Sequence, residues 1–128
     1  MHEVSIIQNV VDIVLKTAEE NKLKNINEIS LKIGDFSGVM KDSLTFAFQG
    51  VSKGTIAEGA QFIIEKVDAT AKCDDCGITF EIDHFNKLCP NCNKFCNSIV
   101  TGYELYINTI EGDKEDEWNK SYNKYFKN

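Results

Sequence analysis

Apolar residues recur at helical spacing from the start of the chain. Ile6, Ile7, Val10, Val11, Val14, Leu15 and Ala18 fall on one side, while Glu3, Gln8, Asp12, Lys16 and Glu19 largely take the other. The pattern predicts an amphipathic helix over residues 3–20. After a polar break at 21–25 the period changes to two. Ile29, Leu31 and Ile33 alternate with Glu28, Ser30 and Lys32, which predicts a half-buried strand ended by Gly34. Asp35-Phe36-Ser37-Gly38 then reads as a turn. Met40, Leu44, Ala47, Phe48 and Val51 restore the helical period and predict a second helix over 40–53. Gly54 is its stop, and Gly50 weakens it by up to ~1 kcal/mol relative to alanine. Phe62-Ile63-Ile64 centres a second strand over 61–70. A third runs over 98–110, with Tyr103, Leu105 and Ile107 facing one way and Glu104, Tyr106 and Asn108 the other. The predicted fold class is α+β, with two helices packed on a three-stranded sheet.

The second and third strands bracket the strongest chemical signal in the chain. Cys73-Asp74-Asp75-Cys76 opens this stretch and Cys89-Pro90-Asn91-Cys92 closes it. Two cysteines three apart on a tight turn direct both sulfurs into one volume, and a second such turn completes a tetrahedron of thiolates. Gly77 frees the backbone to turn under the metal, and Pro90 stiffens the second knuckle. Soft thiolates favour zinc or iron over magnesium or calcium. Zinc makes a closed structural site with no catalysis at the metal. Iron makes an electron carrier like rubredoxin, but Asn93 stands here where rubredoxin places a glycine. Structural zinc is the preferred reading, with an antiparallel strand pair entering and leaving the metal module.

Five cysteines, four of them at metal spacing, argue against a disulfide framework. The fifth, Cys96, reads as a small buried hydrophobe, with exchange into the metal site as its sharper alternative. His84 stands alone in the spacer, where a histidine is seldom a ligand. The net charge is −6, and all 14 basic residues are lysine. Between Lys72 and Asn97, Lys72, Lys87 and Lys94 face Asp74, Asp75, Glu81 and Asp83, and a tetrathiolate zinc adds further negative charge. An anionic ribbon without arginine argues against nucleic acid. The apolar runs are too short to span a membrane and no cleavable leader is apparent, so no membrane insertion and a cytoplasmic location are expected.

The expected organisation is a domain formed by residues 1–71 and 97–112, a zinc module at 72–96, and a tail at 113–128. In the tail, Asp113, Glu115, Asp116 and Glu117 precede Lys120, Lys124 and Lys127, the charge order a helix dipole prefers. Trp118, Tyr122, Tyr125 and Phe126 sit at helical spacing. The tail is therefore predicted to be a short helix docked on the body or on a neighbouring subunit.

His2 is the remaining candidate ligand. Initiator methionine is normally removed only before a small residue, so Met1 is expected to stay. The Met1 α-amine, the His2 amide nitrogen and the His2 imidazole can close fused chelate rings on a metal preferring square-planar nitrogen ligation, with Glu3 supplying a fourth donor. Ni(II) and Cu(II) meet that demand. Alone, a histidine at position two is rarely a ligand.

Met1-His2-Glu3, the Ile- and Val-rich helix, Ile29–Gly34 with the Ser37-Gly38 turn, and two cysteine knuckles between paired strands together resemble the HypA/HybF family over about residues 1–112. These are nickel metallochaperones that mature [NiFe] hydrogenases. The resemblance implies structural Zn2+ at Cys73, Cys76, Cys89 and Cys92. It implies transferable Ni2+ at His2, with the Met1 amine and Glu3 contributing. It also implies a HypB-type GTPase partner and delivery to the hydrogenase large subunit. Urease maturation proteins are a further candidate partner, and the sequence leaves monomer or homodimer open as the assembly. The tail extends past the usual end of the family. The competing reading is a zinc-ribbon adaptor that binds a protein partner and transfers no metal. An enzyme is not expected, since the chain shows no nucleophile–base pairing, phosphate loop or paired-acid signature.

Overall fold

A computed structural model describes residues 3–115 and the backbone of 122–126. In chain order the elements are α1 (Glu3–Glu20), β1 (Glu28–Gly34), α2 (Lys41–Val51), β2 (Gln61–Val67), β3 (Thr70–Lys72), β4 (Thr79–Glu81), β5 (Ser98–Thr101), β6 (Leu105–Asp113) and β7 (Tyr122–Phe126). They form a four-stranded sheet in the order β2-β1-β6-β7 and a three-stranded sheet in the order β4-β3-β5. No helix among the described residues is long and apolar enough to cross a membrane.

The chain divides into two compact units. One gathers the N-terminal residues to Leu31, Val39–Ile64 and the chain from Tyr106 onward. Its core takes Ile7, Val10, Val11, Val14 and Ala18 from α1, and Leu44, Ala47 and Phe48 from α2. Ile29 and Leu31 of β1, Ile64 of β2, and Ile107 and Ile110 of β6 complete it. Phe48 stacks flat on Phe62, with ring centroids 4.4 Å apart. The predicted stripe of α2 is corrected at its start. Met40 is the N-cap residue, in extended backbone, and its side chain is exposed. The expected polar face of β1 is also modified. Ser30 is buried, and its hydroxyl lies 2.9 Å from that of Thr109 on neighbouring β6. A central strand is covered more fully than its alternation suggests, and the mutual hydroxyl bond satisfies both buried groups.

Helix α1 ends in a Schellman motif. The Leu23 amide donates to the Ala18 carbonyl at 2.9 Å and the Lys22 amide to the Glu19 carbonyl at 3.2 Å. This places Lys22 in the left-handed region, with φ 57°, where glycine is the usual occupant. Leu23 and Ala18, the positions whose apolar contact commonly accompanies such caps, are both buried.

The second unit comprises Lys32–Gly38 and Glu65–Leu105. Here two predicted strands turn out to be broken. The 61–70 strand splits at Asp68-Ala69 into β2 and β3, and the 98–110 strand splits at Gly102-Tyr103-Glu104 into β5 and β6. Thus β1 separates β2 from β6 in the larger sheet, and the expected antiparallel pair exists only as β3 with β5. The break is built by close backbone packing. The Phe36 amide donates to the Gly102 carbonyl at 2.6 Å, and the Gly34 amide to the Glu104 carbonyl at 2.8 Å. Gly102, at φ 135°, lies against Ala69, and its amide donates to the Glu104 carboxylate at 2.8 Å. A side chain on Gly34 would overlap the Gly102 carbonyl.

The predicted helical tail is corrected where it is described. Tyr122–Phe126 form strand β7, antiparallel to β6. Residues 116–121 and 127–128 lie outside the described residues. The aromatic spacing that suggests a helix also suits a strand, because tyrosine and phenylalanine favour pleated structure and β6 offers a backbone edge to pair with.

Two substitutions test these backbone constraints. Gly34→Ala forces a methyl group into the Gly102 backbone and is expected to lower stability by about 1–3 kcal/mol, read as a fall in urea midpoint. Lys22→Gly relieves the left-handed strain at the end of α1 and is expected to raise stability by up to about 1 kcal/mol, read in the same titration.

Candidate metal centre

Strand β3 runs straight into the first knuckle. The Gly77 amide donates to the Cys73 carbonyl at 2.7 Å, and the Cys73 amide to the Ile78 carbonyl at 2.9 Å. The Cys76 amide points at the Cys73 sulfur at 3.4 Å. The second knuckle repeats this wiring. The Asn93 amide donates to the Cys89 carbonyl at 2.8 Å, the Cys89 amide to the Lys94 carbonyl at 2.9 Å, and the Asn91 amide to the Cys89 sulfur at 3.4 Å. Both turns need a left-handed residue after the second cysteine. Gly77 supplies it at φ 77° and Asn93 at φ 61°. Asparagine tolerates that region better than other side-chain-bearing residues, so the missing glycine of the second knuckle is accounted for.

The turns bring the sulfurs of Cys73, Cys76, Cys89 and Cys92 within 4.8 Å of one another. Cys73 and Cys92 are 3.6 Å apart and Cys76 and Cys89 4.0 Å. A regular tetrahedron with Zn–S bonds of about 2.3 Å has edges of about 3.8 Å, so the spacing fits zinc. It is far beyond the ~2.05 Å of a disulfide, and all five cysteines are free thiols. All four corners of the tetrahedron are protein sulfurs, which leaves no open position for a substrate. A structural zinc is the metal this donor set suits.

The electrostatics show why a cation belongs here. The Cys76 amide, against the opposing effect of burial and with help from the Asp75 amide and the Cys92 and Cys96 thiols, holds the Cys73 thiol down at about 6. At Cys92 the Lys94 amide favours the thiolate. The sulfurs of Cys76, Cys73 and Cys89, together with burial, outweigh it and push that thiol up to about 12. The Cys73 thiolate forms readily and Cys92 beside it then resists ionising. A divalent cation removes that resistance and releases the proton.

Several supporting groups carry no sequence motif. The Asn91 side-chain amide donates to the Cys76 sulfur at 3.4 Å, linking the two knuckles. Lys94 pairs with Asp75, which raises the Lys94 pKa, and so ties the second knuckle to the first. Ser98, at the start of β5, donates to Asp74 at 3.2 Å. The only sequence cue to these is the polar character of the intervening positions.

Cys96 is not among the ligands. It is buried with Ala69, Ala71, Ile82, Cys73 and Cys89, its thiol donates to the Lys94 carbonyl at 3.4 Å, and burial followed by Cys73 pushes it up to about 11. His84 also stands apart from the four sulfurs. Its ring packs on Phe36 with centroids 4.4 Å apart, and Tyr103 meets the same phenylalanine edge-on at 5.8 Å. Of the expected nickel ligands, Met1 and His2 lie outside the described residues. Glu3 opens α1 and shares an open recess with Val4, Ser5, Asp42, Ser43 and Phe46.

Replacing a corner of the tetrahedron and replacing its neighbour should have different effects. Cys92→Ser is expected to abolish stoichiometric zinc, whereas Cys96→Ser is expected to retain one equivalent, as measured by metal analysis of purified protein. Chelation of the zinc removes on the order of 10 kcal/mol of apparent binding energy. Amide exchange at Ala71 and Ile82 should then rise to that of an open chain. Zinc affinity should fall on acidification, because protons compete for the same sulfurs.

A family model described as "Hydrogenase/urease nickel incorporation, metallochaperone, hypA" matches residues 1–112. The hydrogenase maturation factor HypA of Chlorobaculum parvum is 38% identical over 110 residues, covering 86% of this chain and 97% of that protein. The HypA of Aquifex aeolicus is 35% identical over 111 residues, covering 87% and 96%. In fold, the chain is similar to the solution structure of the Ni metallochaperone HypA from Helicobacter pylori, with a TM-score of 0.63 at 21% identity over 90% of this chain and 100% of that one. A second solution structure of a HypA protein gives a TM-score of 0.68 at 23% identity. With two helices, two sheets and four clustered cysteines between strands, this chain belongs to the HypA family of nickel-incorporation metallochaperones for hydrogenase maturation.

Proposed function

We propose that this chain binds Ni(II) at its N-terminus and hands it to the large subunit of a [NiFe] hydrogenase, with the zinc centre serving as scaffold. The observation that carries this reading is the sequence Met1-His2-Glu3, whose last residue opens α1. The first amides of a helix have no intrahelical acceptor, so nitrogen donors at the start of α1 are not committed to the helix ladder. The Met1 α-amine, the His2 amide and the His2 imidazole supply a chain of nitrogens that suits square-planar Ni(II). Glu3 completes the set. The carboxylates of Glu3 and Asp42 border the recess at the start of α1 and make its surroundings favourable to a cation.

An exposed terminal site is suited to transfer, because ligands can be exchanged one at a time without opening a core. A HypB-type GTPase is the proposed partner in that transfer, and urease maturation proteins are a second destination. The protein acts as a carrier and not as an enzyme. The alternative, a zinc-ribbon adaptor with no transferable metal, has the same zinc content and lacks a terminal nickel site.

Nickel titration of the untagged, zinc-loaded protein separates the two. One equivalent of Ni(II) is expected to bind, and His2→Ala or an N-terminal extension should abolish it. Equal binding by wild type and His2→Ala would remove the terminal site from consideration. The α-amine and imidazole have reference pKa values of about 7.7–8.0 and about 6.5. Both must lose a proton to bind, and so must the His2 amide when its nitrogen is a ligand, so affinity should fall on the order of 1,000-fold between about pH 7.5 and pH 6.

A further inference from the structure

The four sulfurs of the metal centre do not receive the same kind of support. Cys73 accepts the Cys76 main-chain amide at 3.4 Å, Cys89 accepts that of Asn91 at 3.4 Å, and Cys92 is met by that of Lys94. These donors belong to the backbone of the knuckles and do not depend on which side chains the turns carry. Cys76 is different. The donor aimed at its sulfur is a side chain, the Asn91 amide at 3.4 Å.

Asn91 therefore donates twice. Its main-chain amide is committed to Cys89 and its side-chain amide to Cys76. Those two sulfurs lie 4.0 Å apart and belong to different knuckles, so one residue spans a whole edge of the tetrahedron. The Asn91 side chain is exposed, and water competes for the same sulfur. Asn91 has the advantage over water, because its backbone is already fixed on Cys89 and only its own side-chain torsions remain to be ordered. Burial sharpens the contrast between the corners. Cys73 and Cys89 are buried, Cys76 is partly accessible and Cys92 is exposed. Of the two accessible corners, Cys92 has a donor that is independent of the side chain at 94. Cys76 keeps its side-chain donor only while residue 91 carries an N–H.

We propose that Asn91 is the positioning residue that holds the Cys76 corner on zinc, and so sets how firmly the whole centre retains its metal. Four thiolates around a divalent cation carry surplus negative charge, and N–H donors disperse it. Without the Asn91 amide, Cys76 keeps its full charge beside Cys89 and is the corner that leaves first. Asn91→Asp is worse than Asn91→Ala, since it sets a carboxylate against the thiolates. Groups one step removed from a metal commonly change its affinity by about 10- to 100-fold.

The test uses the full chain loaded with zinc, with cobalt(II) or with a magnetically active cadmium isotope. Transfer of zinc to an excess of a coloured chelator is expected to be at least about ten-fold faster from Asn91→Ala than from wild type, and faster again from Asn91→Asp. Limited alkylation followed by peptide mass mapping should show the gain at Cys76, with Cys92 little changed. In the cobalt form, the thiolate-to-metal charge-transfer band should move to longer wavelength in Asn91→Ala, because a sulfur freed of its hydrogen bond gives up electron density more easily. Lys94→Gln breaks the tie to Asp75 without taking a donor from a sulfur, and should leave that band in place. A merely structural tie at Asn91 would not separate these two variants. If Asn91→Ala fails to load, the wild-type cadmium form decides alone: the Asn91 side-chain amide protons should show scalar coupling to the metal through the Cys76 sulfur. The proposal fails if zinc transfer is unchanged in both Asn91 variants, or if the charge-transfer band of Asn91→Ala does not move. It fails equally if the gain in alkylation falls on Cys92 instead of Cys76, or if the cadmium form shows no coupling at Asn91.

Discussion

Four sulfurs held 3.6–4.0 Å apart along opposite edges of a tetrahedron set the terms for the second unit. Four negative charges at that spacing cannot coexist without a cation, and four neutral thiols offer each other only weak hydrogen bonds. The surrounding core is made of small side chains: Ala69, Ala71, Cys73, Cys89 and Cys96, with Ile82 as its one large buried aliphatic residue. A core of that size buries too little apolar surface to hold a fold alone. Zinc supplies what the side chains do not, and the short strands β3, β4 and β5 depend on it. The larger unit has the opposite economy. Its core of Ile, Val, Leu and Phe from both helices and the larger sheet has no need of a metal.

Much of this was legible in the sequence where one physical signal dominates. The spacing of Ile7, Val10, Val11, Val14 and Ala18 specifies α1 because a single face is buried. The two Cys-x-x-Cys turns specify the centre because only that spacing aims two sulfurs at one point. The limits appear where tertiary contacts decide. Gly102 is the one local hint of a break in 98–110, but the break itself is made by Gly34 and Gly102 meeting from distant parts of the chain. Tyr122, Tyr125 and Phe126 satisfy helical spacing as well as they satisfy a strand, and only the free edge of β6 distinguishes the two. Asn93 shows how a substitution can hide a motif: the turn needs a left-handed residue, and asparagine meets that need without matching the pattern.

The division of labour between the metals follows from the same contrast. A zinc ion here would have a protein sulfur at each of its four positions, two of them on buried residues. Nickel, in the proposed terminal site, would be held by nitrogen donors and Glu3 instead. On that reading the retained metal and the transferable one use different chemistry at different places in the chain.

The break between β5 and β6 bears on the order in which the protein is made. Helix α1 and strand β1 leave the ribosome early, but β6, the partner of β1, is synthesised only after the whole zinc module. Until β6 arrives, one edge of β1 is unpaired. The chain from the end of β3 at Lys72 to the start of β5 at Ser98 is a flexible detour that β6 must close before it can dock. A zinc ion that joins Cys73 to Cys92 shortens that detour to a few residues and lowers the entropy of closure. Zinc bound during synthesis would therefore leave β6 a shorter loop to close when it reaches β1.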